Sequence, residues 1–304
     1  MMITYLILAH RDLEHLRELV AALGGNRIFI HLDKKSAISR SAVLALCDNQ
    51  NIYLIEEKSS INVHWGGFSQ IQAMLLLIQV ALPHMAPREK LMFLSGSDFP
   101  IRSYKEIQEK FSDNVEKEYL RYYPLDDRKK DVKRWRLYHR WDLRIFKKRG
   151  SILNRFNSLC LKILTILETF FRGAKKNPGY ILMAGSNWFA ISRECAENML
   201  SFRNEEYDKF FKSMFAPDEV YFATLFAMSN YWNLNMDRGA YECNSHSSRL
   251  FQVRNLTYVD ESLNKWLDME DLERIQGSNF LFARKYDSEL SLNLRNHLKD
   301  RLGY

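Results

Sequence analysis

The chain has 304 residues, 46% of them hydrophobic and 27% charged, with Gly 12 and Pro 6. That apolar share excludes a wholly disordered chain, and the glycine and proline counts exclude collagen-like or Pro-rich linker architectures. Lys+Arg 44 against Asp+Glu 37 gives a formal net charge of +7, which leaves nucleic acid, anionic lipid, an acidic polymer or a phosphorylated small molecule open as partners.

Residues 3–9 form an apolar run that reads as a buried strand and not as a signal peptide, since no basic flank or small-residue cleavage site accompanies it. Apolar positions Leu13, Leu16, Leu19, Val20 and Leu23 have helical spacing, and Gly24-Gly25 ends that helix. Strands are predicted at 27–32, 51–55 and 90–94, with a breaker-free helix over 68–82 stopped near Pro83. Strands interleaved with helices at this spacing predict an α/β domain with a mostly parallel central sheet flanked by helices. In such sheets ligands bind beyond the carboxyl ends of the strands, where His31-Leu32-Asp33-Lys34-Lys35 and Ser95 to Pro100 both fall.

Residues 121–176 change character, with roughly 17 basic against roughly 5 acidic side chains. Leu153, Phe156, Leu159, Ile163, Ile166, Leu167 and Phe170 follow a helical period inside it. The pattern fits an interfacial or partner-docking helix and equally a core helix with basic neighbours. Beyond it, a short apolar run at 181–184 and Gly185-Ser186-Asn187-Trp188-Phe189 lead to a helix near 193–202. Pro217-Asp218-Glu219 opens another helix over 220–228, Leu256 to Val259 is a strand, and a final polar helix starts at about Ser288.

Several side chains have the chemistry for a site. A carboxylate of Pro217-Asp218-Glu219, in a helix first turn, can project into a cleft and take a proton from a hydroxyl, although first-turn acids also serve the helix dipole. Asp33 can accept from a base or ribose. Asp98 ends a strand and can equally cap the helix beginning near Tyr104. Trp65-Gly66-Gly67 combines a stacking face with two glycines that permit close backbone approach. Arg284-Lys285 can neutralise a pyrophosphate or form a solvated pair. There is no P-loop, no GxGxxG and no Asp-x-Asp after an apolar strand, and Cys47, Cys160, Cys195 and Cys243 form no CxxC pair, which favours a reducing compartment.

The order of these motifs resembles the core-2/I-branching β-1,6-N-acetylglucosaminyltransferase family, which also includes peptide O-xylosyltransferases. The segments are Tyr5 to His10, Ile30 to Lys35, Val63 to Ser69, Leu94 to Pro100, Gly185 to Phe189, Pro217 to Glu219 and Leu281 to Asp287. The resemblance implies a GT-A fold and inverting transfer of a sugar, most often GlcNAc, from a UDP-sugar to a hydroxyl of a glycan or lipid-linked acceptor, without a metal or other cofactor. It implies Glu219 as general base. It implies nucleotide-sugar contacts from Ile7, Asp33, Trp65, Gly66, Asp98, Arg284 and Lys285, and acceptor contacts from Trp188 and Asp218.

The family's second diphosphate-binding arginine aligns with Thr257 here, so Arg254 or Arg249 is expected to replace it. The expected organisation is one catalytic domain over 1–304. Residues 1–120 would form the nucleotide-sugar half, 121–176 a basic amphipathic insertion, and 177–304 the acceptor half. The compact chain suggests a bacterial, cytoplasmic enzyme of surface-polysaccharide synthesis, with 121–176 touching anionic membrane and no nucleic acid bound. UDP-xylose and UDP-glucose are alternative donors. A non-catalytic single-strand-binding protein using Trp135, Tyr138 and Trp141 is an alternative of another class.

Overall fold

The computed structural model describes residues 2–48, 51–125, 129–143, 152–236 and 256–303. In chain order the strands are β1 (Ile3–Ala9), β2 (Arg27–Leu32), β3 (Ile52–Leu54), β4 (Lys90–Ser95), β5 (Asp98–Pro100), β6 (Tyr122–Pro124), β7 (Met183–Gly185), β8 (Ala190–Ser192), β9 (Thr257–Val259) and β10 (Phe282–Arg284). The helices are α1 (Leu13–Ala22), α2 (Arg40–Leu44), α3 (Ser69–Ala81), α4 (Tyr104–Ser112), α5 (Lys129–Trp135), α6 (Ile152–Arg172), α7 (Arg193–Ser201), α8 (Glu205–Phe211), α9 (Asp218–Met228), α10 (Leu272–Gln276) and α11 (Leu292–Leu302).

The chain is α/β, and its sheets among the described residues are mixed. The largest has the order β3-β2-β1-β4-β8, with β3, β2, β1 and β4 parallel and β8 antiparallel to β4. A second sheet has the order β5-β10-β9, and β6 pairs with β7 alone. Alternation along the parallel strands divides the core. Leu6, Phe29, Leu91 and Phe93 face a cluster shared with α3 and α9, while Ile7, Ile30, Met92 and Leu94 face one shared with α1 and α4. A sheet covered on both faces explains why these strands are near-continuous apolar runs.

The register aligns the carboxyl ends of the strands. Leu8 pairs with His31 on one side and Ser95 on the other. Asp33 N donates to Ala9 O at 2.9 Å and Gly96 N to Leu8 O at 2.9 Å, which carries the ladders one step further. Asp33 and the Ser95 to Asp98 turn therefore emerge at one edge. Helix α9 is apolar nearly all round, with Val220, Tyr221, Phe222, Leu225 and Phe226 at most 1% exposed. At about 1.5–3 kcal/mol per fully buried large side chain, this burial holds the helix firmly and fixes its first turn.

Two local expectations are corrected. Asp98 does not cap α4. Ser103 does, accepting from Glu106 N while the Glu106 carboxylate accepts from Ser103 N at 2.8 Å, a capping box. The last helix begins at Leu292 and not at Ser288, because the Asp287 carboxylate accepts from Glu289 N and Leu290 N and closes a turn first.

Candidate active site

The first turn of α9 is the focus of the site. Ala216 N donates to Gly66 O at 3.0 Å, which ties the turn before α9 to the Trp65-Gly66-Gly67 loop. The Glu219 carboxylate is ion-paired with Arg134 of α5, whose Nη2 also donates to Ala216 O at 3.2 Å. Burial opposes the charge on Arg134, but the Glu219 carboxylate offsets it and keeps the guanidinium above its usual range. Asp218 is buried and accepts from Gln70 Nε2 of α3 at 3.0 Å and from Asn187 Nδ2. Burial first, and the adjacent Glu219 charge second, push the Asp218 carboxyl up to about 6.

The residue after Asn187 reaches the other half. Trp188 Nε1 donates to Asp98 Oδ2 at 3.0 Å, and the Arg284 guanidinium lies 3.9 Å over the Trp188 ring. Asp98 is wholly buried, accepts from Ser95 N at 2.7 Å and Ser95 Oγ at 2.9 Å, and has Arg284 Nε at 3.6 Å. Burial pushes this carboxyl up, and Arg284 is the strongest influence holding it down. Consecutive residues thus tether two buried carboxylates, Asp218 through Asn187 and Asp98 through Trp188. That is the local purpose of the Gly-Ser-Asn-Trp motif.

The Trp65 indole is 58% exposed and meets Trp141 and Phe215 edge-on, with centroids 6.5 and 5.9 Å away. Its two glycines have separate reasons. Gly66 has φ +76 and a Cβ there would lie 3.3 Å from the Phe215 ring. A Cβ on Gly67 would sit 2.1 Å from Asp142 Oδ1. Asp142 accepts from Phe68 N at 2.8 Å and Ser69 Oγ at 2.6 Å, so it caps α3 from 73 residues away. Asp33, buried at the end of β2, accepts from Lys35 N at 3.1 Å and Val63 N at 3.4 Å, which docks it against the same loop.

A cationic group gathers near Asp98, from β10 and the residues just after it and after β1. Lys285 Nζ donates to Asn264 Oδ1 at 3.2 Å. Its pKa is lowered by burial first, then by the neighbouring charges of Arg284 and Arg11. Arg11 itself stacks 4.3 Å over the Trp266 ring. Arg284 is not a solvated partner of Lys285, since its side chain is only 11% exposed. Among the described residues no three His, Cys, Asp or Glu side chains gather as metal ligands.

The structure thus brings Asp98, Trp188 and Arg284 together, and Asp218 and Glu219 with Arg134. It sets Asp33 beside the loop of Trp65 and Gly66. The Ile7 side chain is 0% exposed and belongs to the core cluster that β1 shares with α1 and α4. Trp188 and Asp218 are occupied by internal partners. Thr257 is buried in β9, and Arg254 and Arg249 lie outside the described residues. Arg134 and Arg11 escaped the sequence reading. Arg134 sits in the basic segment, where it is one cation among many, and its partner lies 85 residues away. Arg11 follows a strand end, and that position was its only available signal.

A family model described as "Branch: Core-2/I-Branching enzyme" matches residues 3–260. A beta-1,3-galactosyl-O-glycosyl-glycoprotein beta-1,6-N-acetylglucosaminyltransferase from Bos taurus is 28% identical over 229 residues, covering 73% of this chain and 48% of that protein. The Homo sapiens protein of the same description is 29% identical over 233 residues, again 73% and 48%. A xylosyltransferase from Ciona intestinalis is 23% identical over 311 residues, covering 99% of this chain and 34% of that protein. The chain spans less than half the length of these curated relatives.

Proposed function

The chain belongs to the Core-2/I-Branching enzyme family, and from that premise we propose that it is an inverting glycosyltransferase of GT-A fold. It moves a sugar, GlcNAc in the favoured reading, from a UDP-sugar to a hydroxyl of a glycan or lipid-linked saccharide. The observation that carries this reading is the first turn of α9, where Glu219 is held by Arg134 at the end of a rigid, buried helix. In-line displacement at the anomeric carbon requires a base on one face and positive charge at the leaving diphosphate on the other.

Glu219 takes the acceptor proton in this scheme. Its ion pair with Arg134 holds the carboxylate in place at the first turn of α9. Asp218 is a positioning residue that fixes the α9 turn against α3 and the Asn187 loop. Lys285 meets the diphosphate, and Arg11 supplies the second cation that the Thr257 strand lacks, a placement supported by its proximity to Lys285. These side chains take the part a divalent cation plays where paired aspartates are present. The exposed Trp65 offers its face to the uracil, and Asp33 lies beside it for the base or ribose. Residues 1–120 and 177–304 then act as donor and acceptor halves of one unit.

The nucleic-acid alternative loses support, because its aromatics are occupied. Trp135 is buried, Tyr138 is covered by Arg172 and Lys175, and Trp141 packs on Phe215. The reading is tested by thermal-shift measurements with UDP-GlcNAc, UDP-xylose and UDP-glucose, each with EDTA and with Mg²⁺. Stabilisation by UDP-GlcNAc that EDTA leaves unchanged is expected. Stabilisation only with Mg²⁺ would refute the metal-free scheme, and no response to any UDP compound would refute the donor class.

A further inference from the structure

Helix α6, 21 residues long, is amphipathic in the reverse of the usual sense. The face turned to the protein is largely polar. Asn157 and Thr165 are buried there, Thr169 Oγ1 accepts from Tyr138 N at 3.1 Å, and Glu168 Oε2 accepts from Arg140 Nε at 2.8 Å. The outward face is apolar, with Phe156 58%, Leu159 54%, Ile163 47%, Ile166 68%, Phe170 80% and Phe171 80% exposed. At 3.6 residues per turn these six cover an arc of roughly 140°. Arg155 and Lys162 are exposed along one border of that arc, and Lys176 is exposed beyond the carboxyl end of the helix, whereas Arg172 turns back to pair with Glu168 and cover Tyr138.

We propose that α6 lies flat on the surface of an anionic phospholipid bilayer, with this arc in the acyl boundary and its bordering cations against the headgroups. Soluble chains rarely leave so continuous an apolar face open. The arc is wider than the narrow seam by which one helix zips against another copy. The charge pattern selects the occupant, because the apolar face stands in a segment with roughly 17 basic and 5 acidic residues, the combination that seats interfacial helices on anionic lipid. No helix among the described residues is long and apolar enough to cross a membrane, so α6 rests on the surface.

The inference goes beyond the catalytic reading and is measured without donor or acceptor, so either can fail alone. The full chain is sedimented with vesicles of phosphatidylcholine alone and with vesicles holding about one part in three of phosphatidylglycerol. Strong partition to the anionic vesicles and weak partition to the neutral ones is expected. The triple variant Ile166→Glu, Phe170→Glu, Phe171→Glu alters only exposed positions. It should keep its melting temperature and lose roughly 100-fold or more of the partition. Arg155→Gln with Lys162→Gln should lose roughly tenfold. Wild-type chain that stays in the supernatant with both vesicles overturns the proposal, as does a triple variant that binds like wild type. A stable dimer in light scattering that the triple variant splits, without vesicle binding, would assign the face to a second copy instead.

Discussion

Glu219→Gln separates chemistry from architecture, because the structure fixes what else the change disturbs. The carboxylate is 26% exposed and its partner Arg134 16%, between a surface pair worth about 0–1 kcal/mol and a buried one whose rupture costs about 3–5 kcal/mol. Glutamine keeps one oxygen that can accept from Arg134, so the lost ion pair costs about 1–2 kcal/mol. Part of that is returned. Asp218 is raised to about 6, with burial the larger cause and Glu219 the next, and each unit of such a shift is worth about 1.4 kcal/mol. Removing the Glu219 charge relieves the smaller part of that penalty and so acts against the loss.

The net loss of stability is then below about 2 kcal/mol, at about 2–4 °C of melting temperature per kcal/mol. Loss of a general base lowers turnover by about 10²–10⁴-fold. UDP affinity should stay within about twofold, because Lys285 and Arg11 are untouched. Calorimetric titration with UDP and an assay of UDP release with the best donor found by thermal shift measure both quantities. Turnover within about tenfold of wild type would refute the base assignment. So would a fall in UDP affinity equal to the fall in rate.

Two further outcomes follow from the packing around the site. Asp142→Ala should cost about 1–2 kcal/mol in a denaturant titration through the lost cap on α3. Gly67→Ala should be harmful in wild type but tolerated beside Asp142→Ala, since the Cβ clash is with that carboxylate; additive costs would refute the account. Burial pushes Lys175 down to about 7 although its Nζ donates to Ser213 O at 2.8 Å. The unfolded chain therefore holds a proton that the folded chain has lost between pH 7 and 10.5. Stability should rise with pH across that window, by about 2–3 kcal/mol from pH 7 to 9. Lys175→Met should flatten the rise, and a flat wild-type profile would contradict it.

What the sequence disclosed follows the range of the forces involved. The strands 3–9 and 27–32 and the helix that became α6 were legible because apolar period and flanking breakers are local properties. Strand β5 was not. It has three residues, one of them proline, and exists because β10 pairs with it from more than 180 residues away. Glu219 was legible as a first-turn acid after proline, but its partner Arg134 was hidden in a run of cations. Asp142 was hidden likewise, since nothing near it in sequence signals a cap for a helix that ended 60 residues earlier. Trp188 was singled out by its motif, yet its hydrogen bond to Asp98 and its contact with Arg284 depend on three chain segments meeting. Charge and periodicity marked the segments, and only tertiary pairing assigned their roles.

Helix α6 shows the same division most sharply. Its period was plain, but periodicity is blind to which side the protein occupies, and the apolar stripe would ordinarily face the core. Here Tyr138 and Arg140 hold the polar side through Thr169 and Glu168, while Trp141 and Asp142, one and two residues further on, hold the Trp65 loop and the start of α3. The same stretch supplies Arg134 to Glu219. The basic segment is therefore a strut with one end in the site and the other under an exposed apolar helix. If that helix rests on a bilayer, the strut holds the cleft at the lipid surface. A lipid-linked acceptor then meets Glu219 with its apolar anchor still in the membrane, so acceptor turnover and vesicle binding should fall together in the α6 triple variant. Donor binding, which uses the opposite face of the site, should not fall.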